Sequence, residues 1–206
     1  MSSRLLTVVT PATSFDLTDL ATVQDELGSD GGESDERLQR YITAASKWLA
    51  GECRRVFGKE RVAETFRNGE AFECLVLDRR PVVVVSSVPQ IVSIVEDGET
   101  LAAADYEVDV EGAMLYRLRD DRRARWSGAK IVVTYDAGYD LPGAAPDDLE
   151  EACIELVKGR NAARKRDPAL RAVETPDVLR EEFWVGAADL PACVAAAIAN
   201  HRNILV

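Results

Sequence analysis

Histidine is almost missing from this chain of 206 residues: His201, near the C-terminus, is the one example. A lone imidazole with no partner in the flanking sequence is a poor general base, because that role needs an orienting group and a pocket. Lysine is scarce as well. Lys47, Lys59, Lys130, Lys158 and Lys165 are the five present, and the rest of the 25 basic residues are arginine. Arginine's planar fork suits bidentate pairs and interfaces, although the codon usage of a GC-rich genome explains the bias at least as well. The four cysteines, Cys53, Cys74, Cys153 and Cys193, form no Cys-x-x-Cys pair, which excludes a zinc knuckle and a thioredoxin-like motif. Two of them lie among apolar residues of helical faces and are expected to behave as small buried hydrophobes in a reducing, cytosolic setting. No glycine-rich phosphate loop and no Gly-x-Ser-x-Gly elbow occurs. The N-terminal apolar run, Leu5 to Val9, is too short for a signal-peptide core or a membrane span, so no targeting or membrane step is expected.

What is present is ordinary for a globular protein: 47% hydrophobic and 30% charged residues, enough for one core or a core with a satellite. The formal net charge of -11 argues against a protein that grips nucleic acid through its phosphates. Simple solubility accounts for the acidity better than a specific role does.

The periodicity changes twice along the chain. Thr18 is a candidate N-cap for a short helix over Asp19 to Leu27, ended by Gly28. A longer helix starts at Ser34, with Leu38, Tyr41, Ile42, Ala45, Trp48, Leu49, Cys53 and Val56 on one stripe. Tyr41 and Trp48 are read as core, and Gly51 inside the helix suggests close packing against a neighbour. After Gly58 the pattern turns strand-like, near 62–67, 72–77, 82–88, 90–96, 106–110, 113–118 and 130–135. Turn chemistry separates these segments, at Asn68-Gly69, Asp97-Gly98, Glu111-Gly112 and Ser127-Gly128 among others. Connections this short favour antiparallel hairpins, and nothing resembles a βαβ unit. Pro146 and the acids Asp147, Asp148, Glu150 and Glu151 then open a helix that closes on Arg164-Lys165-Arg166. Residues 169 to 188 have no period and read as an arm or loop. A last helix is expected from Asp189, with Pro191 in its first turn, before the apolar tail Ile204, Leu205 and Val206.

The expected fold class is therefore α+β: a helical protomer carrying an inserted small antiparallel β-sheet or barrel. Residues 1–58 form an N-terminal helix pair, 59–143 the β-rich insertion, and 144–206 the C-terminal helices with arm and tail. The first and last segments are expected to pack as one helical domain.

A search for chemistry finds little. Asp120-Asp121 and Asp147-Asp148 have the makings of a hard-cation site, but a turn and a helix N-terminus explain them better. Arg122, Arg123, Arg125 and Trp126 form the one basic and aromatic cluster. It fits a solvated hairpin loop best, and a partner's acidic rim or DNA phosphates second, with Trp126 as anchor. Phe183 and Trp184, on a polar and irregular segment, suggest a surface that something covers. Arg160, Arg164, Lys165 and Arg166 are the candidates for a basic helix face, which an acidic DNA-packaging accessory or DNA-binding protein would need.

In order, Asp16-Leu17-Thr18-Asp19-Leu20, the Trp48 helix, Leu75-Val76-Leu77 with Pro81-Val82 and Ser86-Ser87-Val88, Asp105-Tyr106-Glu107-Val108-Asp109 with Gly112, and Val133-Thr134-Tyr135-Asp136-Ala137-Gly138-Tyr139 before Pro142 span most of residues 16 to 166. This ordered set resembles the head-tail connector, or adaptor, proteins of tailed bacteriophages and gene transfer agents. The resemblance implies a structural protein without catalytic residues or cofactor, found at the head-tail interface of the virion and in the host cytoplasm during assembly. It also implies a ring of copies, dodecameric in the virion, that sits under the portal protein and extends the DNA channel without binding DNA specifically. That ring docks the stopper, head-completion or tail protein. Side-by-side helices would close it, and Phe183, Trp184, Ile204, Leu205 and Val206 would order on meeting the portal or the next subunit.

Overall fold

The computed structural model describes residues 3–28, 34–67, 72–164, 172–175, 179–182 and 190–203. The fold is α+β, and its contacts divide the chain into two compact units. One comprises Met1–Ser14 and Val56–Asp140, the other Phe15–Arg55 and Leu141–Val206.

The first unit is built of strands. β1 (Ser3–Thr10) is the element that the sequence reading leaves out. Its Leu-Leu-Thr-Val-Val-Thr pattern alternates too weakly to declare a strand alone, and it becomes one by pairing with a strand fifty residues later. That strand is β2 (Glu60–Arg67), followed by β3 (Leu75–Val76), β4 (Val84–Val85), β5 (Val88–Pro89), β6 (Ile91–Glu96), β7 (Glu99–Thr100), β8 (Tyr106–Asp109), β9 (Met114–Arg119), β10 (Arg122–Ala124) and β11 (Lys130–Ala137). A five-stranded antiparallel sheet runs β1-β2-β11-β6-β7, and β9 pairs separately with β3, β8 and β10. The expected single strand over 82–88 is instead the hairpin β4-β5, because Ser86 and Ser87 both take positive φ at its turn. Asp97-Gly98 turns β6 into β7 in the same way.

Alternation sorts the side chains. On β11, Ile131, Val133, Tyr135 and Ala137 point inward, and on β2 the inward set is Glu60, Val62, Glu64 and Phe66. They meet Leu75, Leu77, Ile94, Leu115 and Trp126 in one apolar core. Gly138 explains the end of the motif at 133–139. Its φ is +103°, and a Cβ there would lie 2.4 Å from the Gly58 carbonyl oxygen. That close approach lets Tyr139 N–H donate to Phe57 O, and Lys59 N–H donate to Tyr139 O.

The second unit is helical: α1 (Leu20–Glu26), α2 (Asp35–Cys53), α3 (Asp147–Arg164) and α4 (Ala192–His201), with a hairpin of β12 (Ala172–Thr175) and β13 (Leu179–Glu182). That hairpin falls in the stretch expected to lack regular structure. Asp19, not Thr18, caps α1, its carboxylate accepting from Thr22 N–H at 2.8 Å. Thr18 is buried and donates to Glu150. The opening motif thus pins the chain to three helices. Asp16 accepts from Gln39 and Thr43 of α2, and Leu17 N–H donates to the buried Ser46 hydroxyl, which also touches Cys153 of α3.

The α2 stripe buries Leu38, Ile42, Ala45, Leu49 and Cys53 as expected, but Trp48 stands at the exposed edge and Tyr41 is half-buried under the Arg160 guanidinium. Gly51 faces open space, since a Cβ there would meet nothing within 4 Å, so close packing is not the reason for it. Leu149, Ala152, Cys153 and Val157 of α3, with Val194 and Ala197 of α4, complete this core.

Candidate interaction surfaces

Several titratable groups among the described residues hold structural roles. His201, expected to be solitary, has Nε2 2.9 and 3.0 Å from the two carboxylate oxygens of Asp148, with Asn200 donating to the same group. Burial alone would raise the Asp148 carboxyl, but the hydrogen bonds from His201 and Asn200 outweigh it and hold the group below the usual carboxylate range. The pair joins the start of α3 to the end of α4. Fifty-three residues separate its members, so no local pattern announces it. Burial pushes the Cys53 and Cys153 thiols up to about 11, which leaves both protonated and unreactive at neutral pH.

A second polar group lies inside the β unit. Glu64 is fully buried, and its carboxylate accepts from the Tyr135 hydroxyl, from Asp78 N–H at 2.8 Å, and from Arg4 Nε and Nη2 at 3.0 and 2.6 Å. Arg79 N–H donates to the Tyr135 hydroxyl, and its side chain reaches Glu60. Every lone pair facing inward is used, so the cluster is a cross-brace between β1, β2 and β11. Among the described residues no group of three or more histidine, cysteine or acidic side chains is placed to hold a metal ion.

The arginine cluster sits on the β9-β10 hairpin, whose turn is Asp120-Asp121 with positive φ at both residues. Arg123 stacks 3.8 Å over the Tyr116 ring and pairs with Glu107, and Arg125 pairs with Glu73 at 2.7 Å. Arg122 is exposed beside them. These local carboxylates cancel much of the field that a phosphate would need. Trp126, expected as a surface anchor, is instead a core residue: it is fully buried, and its indole N–H donates to Leu115 O. Two backbone bonds with Phe72 hold it in an antiparallel bridge just after β10, with its ring in the core. Phe183, Trp184, Ile204, Leu205 and Val206 lie outside the described residues, as do Lys165 and Arg166.

Seven of the nine large hydrophobic side chains exposed among the described residues belong to the β unit: Leu5, Val8 and Val9 on β1, Val84, Val85 and Val88 on the β4-β5 hairpin, and Val92 beside it. The sequence reading missed both patches. The signal was there as an absence of charge, since residues 5–15 and 81–95 contain no acidic or basic residue in a chain that is 30% charged.

A family model described as head completion protein matches residues 16–160. Solved structures show the same fold. A chain from the neck of an empty gene transfer agent (GTA) particle computed with C6 symmetry aligns with TM-score 0.57 and 20% identity, over 98% of this chain and 97% of that one. A chain from the neck of the native GTA particle computed with C12 symmetry aligns with TM-score 0.55 and 18% identity over the same shares. A chain from the virion of the native particle gives 0.51 and 21%, again over the same shares. No curated protein sequence matches the chain.

Proposed function

Because the chain belongs to the head completion protein family, we propose that it is a non-catalytic neck component of a tailed phage or gene transfer agent particle. In this reading, copies of the chain form a ring under the portal protein, extend the DNA channel and dock the stopper or tail protein. The observation that carries it is the alignment over 98% of this chain and 97% of a neck chain, which takes in the helical unit and the β unit together. A twelvefold ring is the count suggested by the C12 symmetry of one neck particle that the chain resembles. The net charge of -11 suits such a ring, because a wall that repels phosphates lets DNA pass without sticking. The protein would assemble in the host cytoplasm and remain at the head-tail interface.

The test is particle assembly in a strain lacking this chain. The expected result is heads that carry portal and DNA but no tail, with tails restored by the wild-type protein supplied in trans. Normal tailed particles in its absence would overturn the reading.

A further inference from the structure

Each copy in a closed ring must offer two unlike surfaces, one for each neighbour, since a single self-matching patch gives only a pair. We infer that the β4-β5 hairpin of one copy seats against the open edge of β1 in the next copy, and that this head-to-tail contact closes the ring. The inference rests on the ring reading above and puts surfaces of the β unit in place of the side-by-side helices expected from the sequence.

Three observations support it. The first is polarity. Two copies that each carry a net charge of -11 repel, so contact is least opposed where neither side has charge to desolvate. The two longest charge-free runs of the β unit are 5–15, which holds most of β1, and 81–95, which holds the hairpin.

The second is chemistry. β1 is an edge strand of the five-stranded sheet, with β2 on one side and, among the described residues, no strand on the other. Leu5 and Val9 on it are 61% and 54% exposed. An open edge of this kind accepts another strand through its backbone groups. The ladder shifts register between Val8 and Thr10, so only the stretch before that bulge offers a regular edge, which suits a short guest. The hairpin is short: its ladder is Val84 with Pro89 and Val85 with Val88, and Val85 and Val88 are 53% and 58% exposed. Its base is fixed by Val83 N–H to Asp136 O and by Asp136 N–H to Gln90 O, so it is held out from β11 and β6. β2 and β11 lie between β1 and β6, which keeps the two surfaces of one copy apart.

The third is size. Side chains like these carry on the order of 100 Å² of apolar surface each, so the seven bury only a few hundred Å² between them. That is far less than the roughly 1,600 Å² of a stable isolated pair. A contact this small holds when every copy makes it twice, as ring closure requires.

The experiment uses two full-length variants with exposed substitutions, Val85→Asp with Val88→Asp for the hairpin, and Leu5→Lys with Val9→Lys for the edge. Unchanged circular dichroism and melting confirm that each folds. Native mass spectrometry is then run on wild type, each variant, and the mixture. Rings are expected from wild type and monomers from each variant alone. The mixture should restore rings in which the two variants alternate, because each intact hairpin then meets an intact edge and each aspartate-bearing hairpin meets a lysine-bearing edge. Wild-type-like rings from either variant alone, or no rings in the mixture, would overturn the inference and leave the ring reading standing. Wild type that stays monomeric, alone and with portal, would overturn both.

Discussion

Tyr135 of β11 donates its hydroxyl hydrogen to the carboxylate of Glu64 on β2, with both side chains sealed inside the β unit. Burial first, and then the adjacent Glu64 charge, push the Tyr135 phenol well above its ordinary value of 10.0. Below about pH 10 the phenol is protonated in the folded and unfolded chain alike, so its contribution to stability is intact. Above that pH the unfolded chain ionises while the folded one does not, and stability is lost by up to about 1.4 kcal/mol per pH unit. Tyr135→Phe should cost about 1–2 kcal/mol at neutral pH by removing one donor from a buried carboxylate. It should also flatten the loss between about pH 10 and about pH 11.5. Urea unfolding across that range reads both effects, and an unchanged alkaline slope would contradict the assignment.

Two glycines should respond in opposite directions. Gly138→Ala places a methyl 2.4 Å from the Gly58 oxygen at a φ of +103°, so it should destabilise by about 2–4 kcal/mol. Gly51→Ala adds a methyl in open space on a helix and should stabilise by up to about 1 kcal/mol. Thermal melting of the two variants beside wild type decides the matter, and equal shifts would refute it.

The Asp148-His201 pair should show in acid. Since the Asp148 carboxyl sits below its ordinary value in the folded state, its contribution is present above about pH 4 and lost as pH falls through the folded value. Asp148→Asn should lower stability by about 1 kcal/mol at neutral pH and make the decline below about pH 4 shallower. His201→Ala should speed amide exchange across Ala192–His201, the helix that the pair fastens to α3, while α2 exchanges as before. Uniform exchange changes over all helices would count against a local clasp.

Much of this fold was legible because long amphipathic helices announce themselves. The α2 stripe, the acidic first turn of α3 and most of the strands between 60 and 137 follow from period and turn chemistry alone. β1 was not legible, because an edge strand is defined by a partner far along the chain. Trp126 and Trp48 changed places for a related reason. An aromatic beside three arginines looks like surface, and one on an apolar stripe looks like core, but the bridge to Phe72 buried the first and the rim of the stripe exposed the second. The braces Glu64-Tyr135 and Asp148-His201 join residues 71 and 53 positions apart, beyond any local pattern. The candidate docking surface was missed because valines in a β-rich run read as core by default. Their lack of any flanking charge was the feature to weigh.

The C-terminal residues provide a test of how the neck is attached. Asn203 N–H donates to Cys53 O, tying the residues just after α4 to the end of α2, so a truncation that begins at Ile204 leaves that bond in place. Removing Ile204, Leu205 and Val206 should therefore shift the melting temperature by no more than a degree or so, a change of about ±0.5 kcal/mol. If these residues and Phe183-Trp184 are the contacts that order against the portal, the truncation and the pair Phe183→Ala with Trp184→Ala should each lower the fraction of tailed particles at least tenfold. A tenfold loss corresponds to about 1.4 kcal/mol of attachment, a modest demand on two large aromatics or three aliphatic side chains. Counting tailed particles by electron microscopy, with protomer stability checked in parallel, separates attachment from folding. Full tail attachment by both variants would remove these residues from the interface and leave the exposed β surfaces as the chain's contacts.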